Sequence, residues 1–484
     1  MNKAIRRISV LMMAMFLTLL VSTTYTQFIA APELNADGRN SRTLYREFGR
    51  DRGPILVAGE PIVKSEPVDD EFRFLRVYEE PELYAHITGF HSITYGATGI
   101  ERAETEALNG TADALFYDRI RNLFTGEPTR GGSVELTIDP KVQKAAAEAL
   151  GGQVGAVVAL DPKTGQILAM VSTPSFDPNR LSSHNTKEVA AAYEELNADE
   201  GRPMENRAIS GRLYPPGSVF KLVTAAAALE SGEWTAESVI DAPVELELPQ
   251  TTSTIKNYGG AACDPEDEMP LSDALRISCN TAFANLGLEL GAEDMLRQAT
   301  AFGFGVDRKI PLGVTPSTFP QDLNPPQLAQ SAMGQYDVKV TPLEVAMISA
   351  TIANDGIPMA PHLVKTVRSS DLSVRSRTEP QAESRAISSA TARSLREMMV
   401  SVVDSGTGTA AQISGVDVAG KTGTAQNAPD KAPHAWFTAF APADNPQVAV
   451  AVVVEHGGSM GSEATGGATA APIARAVIEA VVGK

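Results

Sequence analysis

The chain is short of metal ligands. Its 484 residues include two cysteines and six histidines, too scattered to suggest the three- or four-ligand sets that zinc sites use, and neither a metal nor any other cofactor is expected. Positive charge is also scarce. Lys and Arg number 41 against 59 Asp and Glu, a net charge of −18, which argues against nucleic-acid binding and against broad attraction to an anionic membrane surface. Long apolar runs are missing but for one, Ile8 to Tyr25, which carries no charge and follows Lys3, Arg6 and Arg7. That run is about the minimum length for a spanning helix, and the basic residues in front put the N-terminus in the cytoplasm and everything after Gln27 outside. A cleaved signal peptide is the rival reading; no clean Ala-x-Ala site follows the run, which favours an uncleaved anchor. No internal repeat is present. Ser405-Gly-Thr-Gly-Thr409 lacks the lysine of a phosphate-binding loop and reads as a flexible loop near the cleft.

What the chain does have is a hydroxyl and an amine one helical turn apart. In Tyr214-Pro-Pro-Gly-Ser-Val-Phe-Lys221 the prolines and Gly217 are poor helix residues, whereas Val219 to Glu230 is rich in helix formers and is closed by Ser231-Gly232. Ser218 is therefore expected to open a helix, with Lys221 on its face within reach of the hydroxyl oxygen, and with first-turn amides favouring negative charge there. Ser-x-x-Lys recurs by chance. Two further elements follow in order, Ser278-Cys279-Asn280 ahead of an apolar helical stretch and Lys421-Thr422-Gly423-Thr424 after the strand-like Val416 to Gly420. Ser-x-x-Lys, Ser-Asp-Asn and Lys-Thr-Gly together are the signature of penicillin-binding proteins and class A β-lactamases, and Ser-Cys-Asn keeps both outer polar positions.

The two cysteines of an exported chain are most simply a pair. Cys263 and Cys279 lie 16 positions apart, and closing such a loop would stabilise by about 3 kcal/mol where geometry allows. Unlinked thiols or metal ligands are the alternatives. His434, beside Ala435-Trp-Phe437, reads as structural or as a rim residue rather than catalytic.

Along the chain the expected division is a cytoplasmic tip and anchor at residues 1–28, a small domain with linker at 29–150 that lacks the three elements, and the domain that carries them at 151–484. Phe72 to Tyr78 reads as a strand, 103–123 as helical, and Thr129-Arg-Gly-Gly-Ser133 as a linker or hairpin turn. Val134 to Pro140 is strand-like and Lys141 to Leu150 helical. Gly155 to Leu160 and Gln166 to Val171 flank a Pro- and Gly-bearing turn, while Ala435 to Phe440, Val448 to Val454 and a last helix, Ala471 to Val482, close the chain. Strands from both ends of this half predict an α/β (α+β) domain with one sheet flanked by helices.

With these residues in view the chain resembles the class B penicillin-binding proteins, and among them the penicillin-binding protein A group of actinobacteria. Beyond the three elements, the resemblance rests on Arg52-Gly-Pro-Ile55, Leu136-Thr-Ile-Asp-Pro140, Ala156 to Asp161 with Gly165, Met333-Gly-Gln335, Val340-Thr-Pro342 and Gly466 to Pro472. It implies a membrane-anchored transpeptidase that cross-links peptidoglycan stem peptides ending in D-Ala-D-Ala and is acylated by β-lactams, with a central antiparallel sheet in the catalytic domain and a membrane-proximal pedestal. The class A branch adds a glycosyltransferase, for which the stretch between anchor and Gly151 has no room. Glycan polymerisation would then fall to a membrane partner, alongside division proteins.

The resemblance also implies roles. Ser218 would be the nucleophile and Lys221 its base; an unperturbed lysine is neutral in only about 0.04% of molecules at pH 7, so burial and the charge of Lys421 must depress it. Ser278 and Asn280 would carry the proton path, the backbone amides of Ser218 and Thr424 the oxyanion, and Lys421, Thr422, Gly423 and Thr424 the substrate carboxylate. A β-lactamase would need a Glu-x-x-Leu-Asn element between the second and third motifs, and Pro320-Gln-Asp-Leu-Asn324 fails that test. A D,D-carboxypeptidase stays open, as does a non-catalytic β-lactam-binding scaffold or sensor, although only about seven residues precede the apolar run.

Overall fold

The fold is that of a computed structural model, which describes residues 3–30, 47–111, 130–426 and 431–483. The expected helix over 103–123 falls outside these residues from 112 onward, as does most of the turn-rich stretch after the anchor. The N-terminal helix α1 (Lys3–Thr24) continues to Ile29 with every side chain through that residue exposed, and it is the one helix among the described residues long and apolar enough to cross a membrane. Its 22 residues span about 33 Å, enough for a hydrocarbon core.

The pedestal is built on a six-stranded sheet. Strands β1 (Ile55–Val57), β2 (Glu60–Pro67) and β3 (Phe74–Tyr78) form a meander, and β4 (Ser133–Leu136) pairs in parallel with β1. The stretch 130–133 is not a free linker. Gly131 and Gly132 donate to Asp51 and Ala107 carbonyls, and a Cβ on Gly53 or Gly131 would lie 1.8 Å from a backbone oxygen, so glycine is what lets these segments cross. Beneath them the buried carboxylate of Glu101 takes Arg52 Nε and Arg76 Nε at 2.6 Å each.

The catalytic half begins with helix α2 (Pro140–Leu150), whose N-cap Asp139 accepts from the amides of Lys141 and Val142 while Pro140 sits in the first turn, where its missing N–H costs nothing. Strands β5 (Gly155–Leu160) and β6 (Ile167–Thr173) follow as the expected hairpin. Helix α3 (Lys221–Ser231), a short hairpin of β7 (Glu245–Glu247) and β8 (Thr254–Lys256), and helices α4 (Leu271–Ile277), α5 (Asn280–Phe302) and α6 (Pro342–Ala353) occupy the middle. The chain then sends β9 (Val364–Arg368) and β10 (Val374–Arg377) back to the pedestal, where β9 pairs with β4, so that sheet takes strands from both sides of residue 150. Helix α7 (Ser389–Ser405), strands β11 (Ala419–Ala425), β12 (His434–Ala441) and β13 (Val448–Val454) and helix α8 (Ala471–Val482) complete the chain.

The second sheet runs β11-β12-β13-β5-β6 and is antiparallel throughout. Its central strands are buried on both faces, and their period of two sorts side chains between two cores. Val157, Ala159, Val450 and Val452 join α2 and α8 through Val142, Ala146, Ile473 and Val477. Ala156, Val158, Ala451 and Val453 pack with α3 and α6 on the other side. At roughly 25 cal/mol per Å² of apolar surface, this double burial dominates the stability of the half. It leaves β11 as an edge strand facing the site.

Candidate active site

Ser218 lies in a 3-10 turn, Gly217–Phe220, and the α-helix starts only at Lys221. The expected helix opening is thus a tighter coil of three residues per turn, which brings positions 218 and 221 onto the same side. Gly217 has φ +55°, donates its N–H to Gly334 O at 2.9 Å, and a Cβ there would lie 2.7 Å from Thr424 O. Only glycine lets the turn approach β11 this closely in that conformation.

Lys221 enters the protein fully buried. Its Nζ donates to Ser278 O at 2.8 Å and to Asn280 Oδ1 at 2.8 Å, and lies 3.4 Å from Ser278 Oγ. Lys421, also fully buried, donates to the same Ser278 Oγ at 2.8 Å and to Thr422 O at 3.0 Å. Ser278 can serve both amines because it sits between α4 and α5 with φ +63°, a left-handed conformation uncommon outside glycine, which turns its carbonyl and its hydroxyl toward the pair. Among the described residues no hydrogen bond joins Ser218 Oγ to Lys221 Nζ; the amine is held by the second element instead.

No carboxylate pairs with either amine among the described residues. Two cations without a counter-ion, removed from water, are costly, and the system responds by releasing protons. Burial first, and then the charge of Lys421, hold Lys221 well below the ordinary lysine range; burial brings Lys421 down to about 7.

The site opens into a groove of about 1510 Å³ lined by Ser218, Ser278, Asn280, Thr422, Gly423 and Thr424 among others, with neither lysine on its wall. Lys421-Thr-Gly-Thr424 lies within β11 rather than after a strand, because pairing begins at Ala419 against Phe440. Gly423 faces Trp436, Val219 and Pro216, with about 3 Å left for a Cβ, so the strand seats against the turn that carries Ser218. Thr407, from the loop read as flexible, shares a 2.6 Å hydrogen bond with Thr422. Cys263 and Cys279 are joined in a disulfide on the groove wall, which leaves neither sulfur for a metal.

The family model for the penicillin binding protein transpeptidase domain matches residues 155–479, and that for the penicillin binding protein A dimerisation domain matches 52–134. The chain belongs to the class B penicillin-binding proteins. Peptidoglycan D,D-transpeptidase PbpA of Mycolicibacterium smegmatis is 46% identical over 491 residues, covering 100% of this chain and 99% of the relative, and the Mycobacterium tuberculosis PbpA is 47% identical over the same span. Among solved structures, the ceftriaxone acyl-enzyme complex of M. tuberculosis penicillin-binding protein A has a TM-score of 0.87 at 45% identity, covering 90% of this chain and 100% of that one. The penicillin G acyl-enzyme complex scores 0.85 at 46% identity with the same coverage.

This penicillin-binding protein also uses residues that motif spacing does not reveal. Glu455 accepts Tyr214 Oη at 2.7 Å and is itself held by Arg207 Nε at 2.9 Å, and Trp436 Nε1 donates to Pro215 O at 3.1 Å, so the segment leading into Ser218 is tied down from two remote places. His434 begins β12, buried, with Nδ1 accepting from the His456 amide; burial brings it down to about 4, a neutral structural group. Asn257, on the groove wall, was likewise invisible. The signal for such residues is long-range contact, which a single sequence does not carry.

Proposed function

We propose that this penicillin-binding protein is a serine D,D-transpeptidase of peptidoglycan that forms an acyl-enzyme at Ser218 and is inhibited by β-lactams at the same residue. The observation that carries the reading is the pair of buried amines converging on one hydroxyl in the groove that Ser218 also lines, with no acid to balance them among the described residues.

Lys221, neutral because burial and Lys421 disfavour its charge, takes the Ser218 proton as Oγ attacks the penultimate D-Ala carbonyl. The Ser218–Lys221 hydrogen bond forms with substrate in place, as catalytic contacts do in Michaelis complexes. Negative charge on the carbonyl oxygen is met by the amides of Ser218 and Thr424. Collapse breaks the C–N bond; Ser278 Oγ gives its proton to the departing D-Ala amine and is refilled from the amines it already contacts. The acceptor amine then retraces the path and releases Ser218. Asn280 orients Lys221, Thr422 and Thr424 present hydroxyls to the terminal carboxylate, and Lys421 supplies positive potential from within.

Residues 1–28 serve as an anchor with its basic end in the cytoplasm, 29–139 as the pedestal with β9 and β10 added to its sheet, and the rest of 140–484 as the transpeptidase on the outer side. Glycan strands come from a polymerising membrane partner, and the protein works with division proteins.

Full-length protein in detergent, treated with benzylpenicillin and digested for mass spectrometry, should carry the adduct on Ser218 and hold it for many minutes, while Ser218→Ala stays unlabelled. With a stem-peptide donor and an amine acceptor, cross-linked product supports the reading. Hydrolysed donor alone would make the protein a carboxypeptidase, and rapid penicillin turnover a β-lactamase.

A further inference from the structure

Helix α5 starts at Asn280, and the residue before it cannot cap it. Cys279 occupies the N-cap position, makes no side-chain cap hydrogen bond, and has its sulfur committed to Cys263. Helix N-termini need acceptors for their first amides, and a missing cap costs about 1 kcal/mol. Here the acceptor comes from elsewhere. Asn257, just past β8, places its Oδ1 2.9 Å from the Asn280 amide and 3.1 Å from the Thr281 amide. Immediately before it, Lys256 O accepts Asn280 Nδ2 at 3.2 Å.

These contacts orient the Asn280 side chain. A carbonyl oxygen can only accept, so Lys256 O selects the NH₂ end of the Asn280 amide and turns Oδ1 the other way. That oxygen then accepts from Lys221 Nζ at 2.8 Å. Segment 256–257 therefore acts on the reacting groups through one intermediary, gripping Asn280 by backbone and by side chain. Asn257 is 9% exposed and lies on the groove wall, and its Nδ2 is buried without a partner among the described residues. A buried donor left unmet is a cost that a residue retained only for packing would avoid, since an apolar side chain of similar size would fill the space. The acceptor oxygen is the part the site uses.

We propose that Asn257 is a positioning residue for acylation, capping α5 across the Cys263–Cys279 loop so that Asn280 Oδ1 stays aimed at Lys221. The inference rests on the acyl-transfer reading above. It assigns Asn257 no contact with substrate.

The test uses full-length protein in detergent, benzylpenicillin as probe, and rapid-quench measurement of the acylation rate constant and the non-covalent dissociation constant, each normalised to the fraction that titrates. Asn257→Ala should lower the rate constant about tenfold, about 1.4 kcal/mol at 25 °C, with the dissociation constant changed less than twofold. Asn257→Asp keeps an acceptor oxygen in place; its added charge favours the ammonium form of Lys221 and moves the acidic limb of the rate profile to higher pH, so the rate constant on the alkaline plateau is the one that should come within threefold of wild type. Should the alanine variant fail to fold, Asn257→Gln moves the oxygen by about 1.5 Å and should show the same loss. A wild-type rate constant in the alanine or glutamine variant, or an aspartate variant as slow as alanine on the alkaline plateau, overturns the proposal. Absence of a Ser218 adduct in the wild type would instead overturn the acyl-transfer reading, so the two failures are separable.

Discussion

Lys421→Met tests the electrostatic core of the mechanism. Both amines lie within 3.4 Å of Ser278 Oγ, so they are no more than about 6 Å apart. At an effective dielectric constant of about 20, two unit charges at that distance repel by about 3 kcal/mol, a factor of roughly a hundred in the fraction of Lys221 that is neutral. Methionine removes the charge while filling much of the buried volume. Because Lys421 sits at about 7, it is mostly protonated at pH 6 and mostly neutral at pH 9. The defect in benzylpenicillin acylation should therefore depend on pH. A loss of about a hundredfold is expected at pH 6, shrinking toward pH 9, where wild-type Lys421 no longer carries the charge that the variant lacks. The acidic limb of the rate profile moves to higher pH. Stopped-flow acylation across pH 5.5 to 9.5 with full-length protein measures this. A defect of constant size at every pH would refute the argument, since it would assign Lys421 a role that does not pass through its charge.

Two further perturbations address stability. Glu344 is buried, with Oε1 lacking a partner among the described residues, and burial raises it to about 7 despite the nearby Arg308. Its native pKa lies above the unfolded value of about 4.3, so its full contribution is present below that value and is lost as pH rises through about 7. Glu344→Gln should match wild type near pH 4.5 and exceed it by about 4 kcal/mol above pH 8 in urea unfolding; an equal difference at both pH values would contradict the assignment. Replacing Cys263 and Cys279 together by serine should cost about 3 kcal/mol in the same assay, while an unchanged midpoint would show that the bridge constrains little in the unfolded chain.

Parts of the fold were legible because they depend on local pattern. The apolar N-terminal helix, the β5–β6 hairpin around its Pro- and Gly-bearing turn, and the last helix at Ala471–Val482 lie where composition and periodicity put them. Other expectations shifted where tertiary contact overrode local preference. The strand near Lys421 begins at Ala419 because pairing with β12 sets its start, and Arg130–Ser133 is packed because its glycines cross another backbone. The strands β9 and β10 inside the pedestal sheet left no trace in the sequence, since pairing with β4, more than 200 residues away, is what defines their place.

The order Ser218, Lys221, Ser278, Asn280, Lys421 by itself determined the class of chemistry, because the first pair puts a hydroxyl and an amine on one side of a turn and the two later elements complete a set that chance spacing does not supply. It could not determine whether that amine is a base. That depends on exclusion of water from Lys221 and on a second amine from β11 meeting it at one hydroxyl, with Asn257 holding the intermediary. Desolvation and charge proximity are properties of packed volume, not of spacing along a chain, and only the folded arrangement of distant segments supplies them.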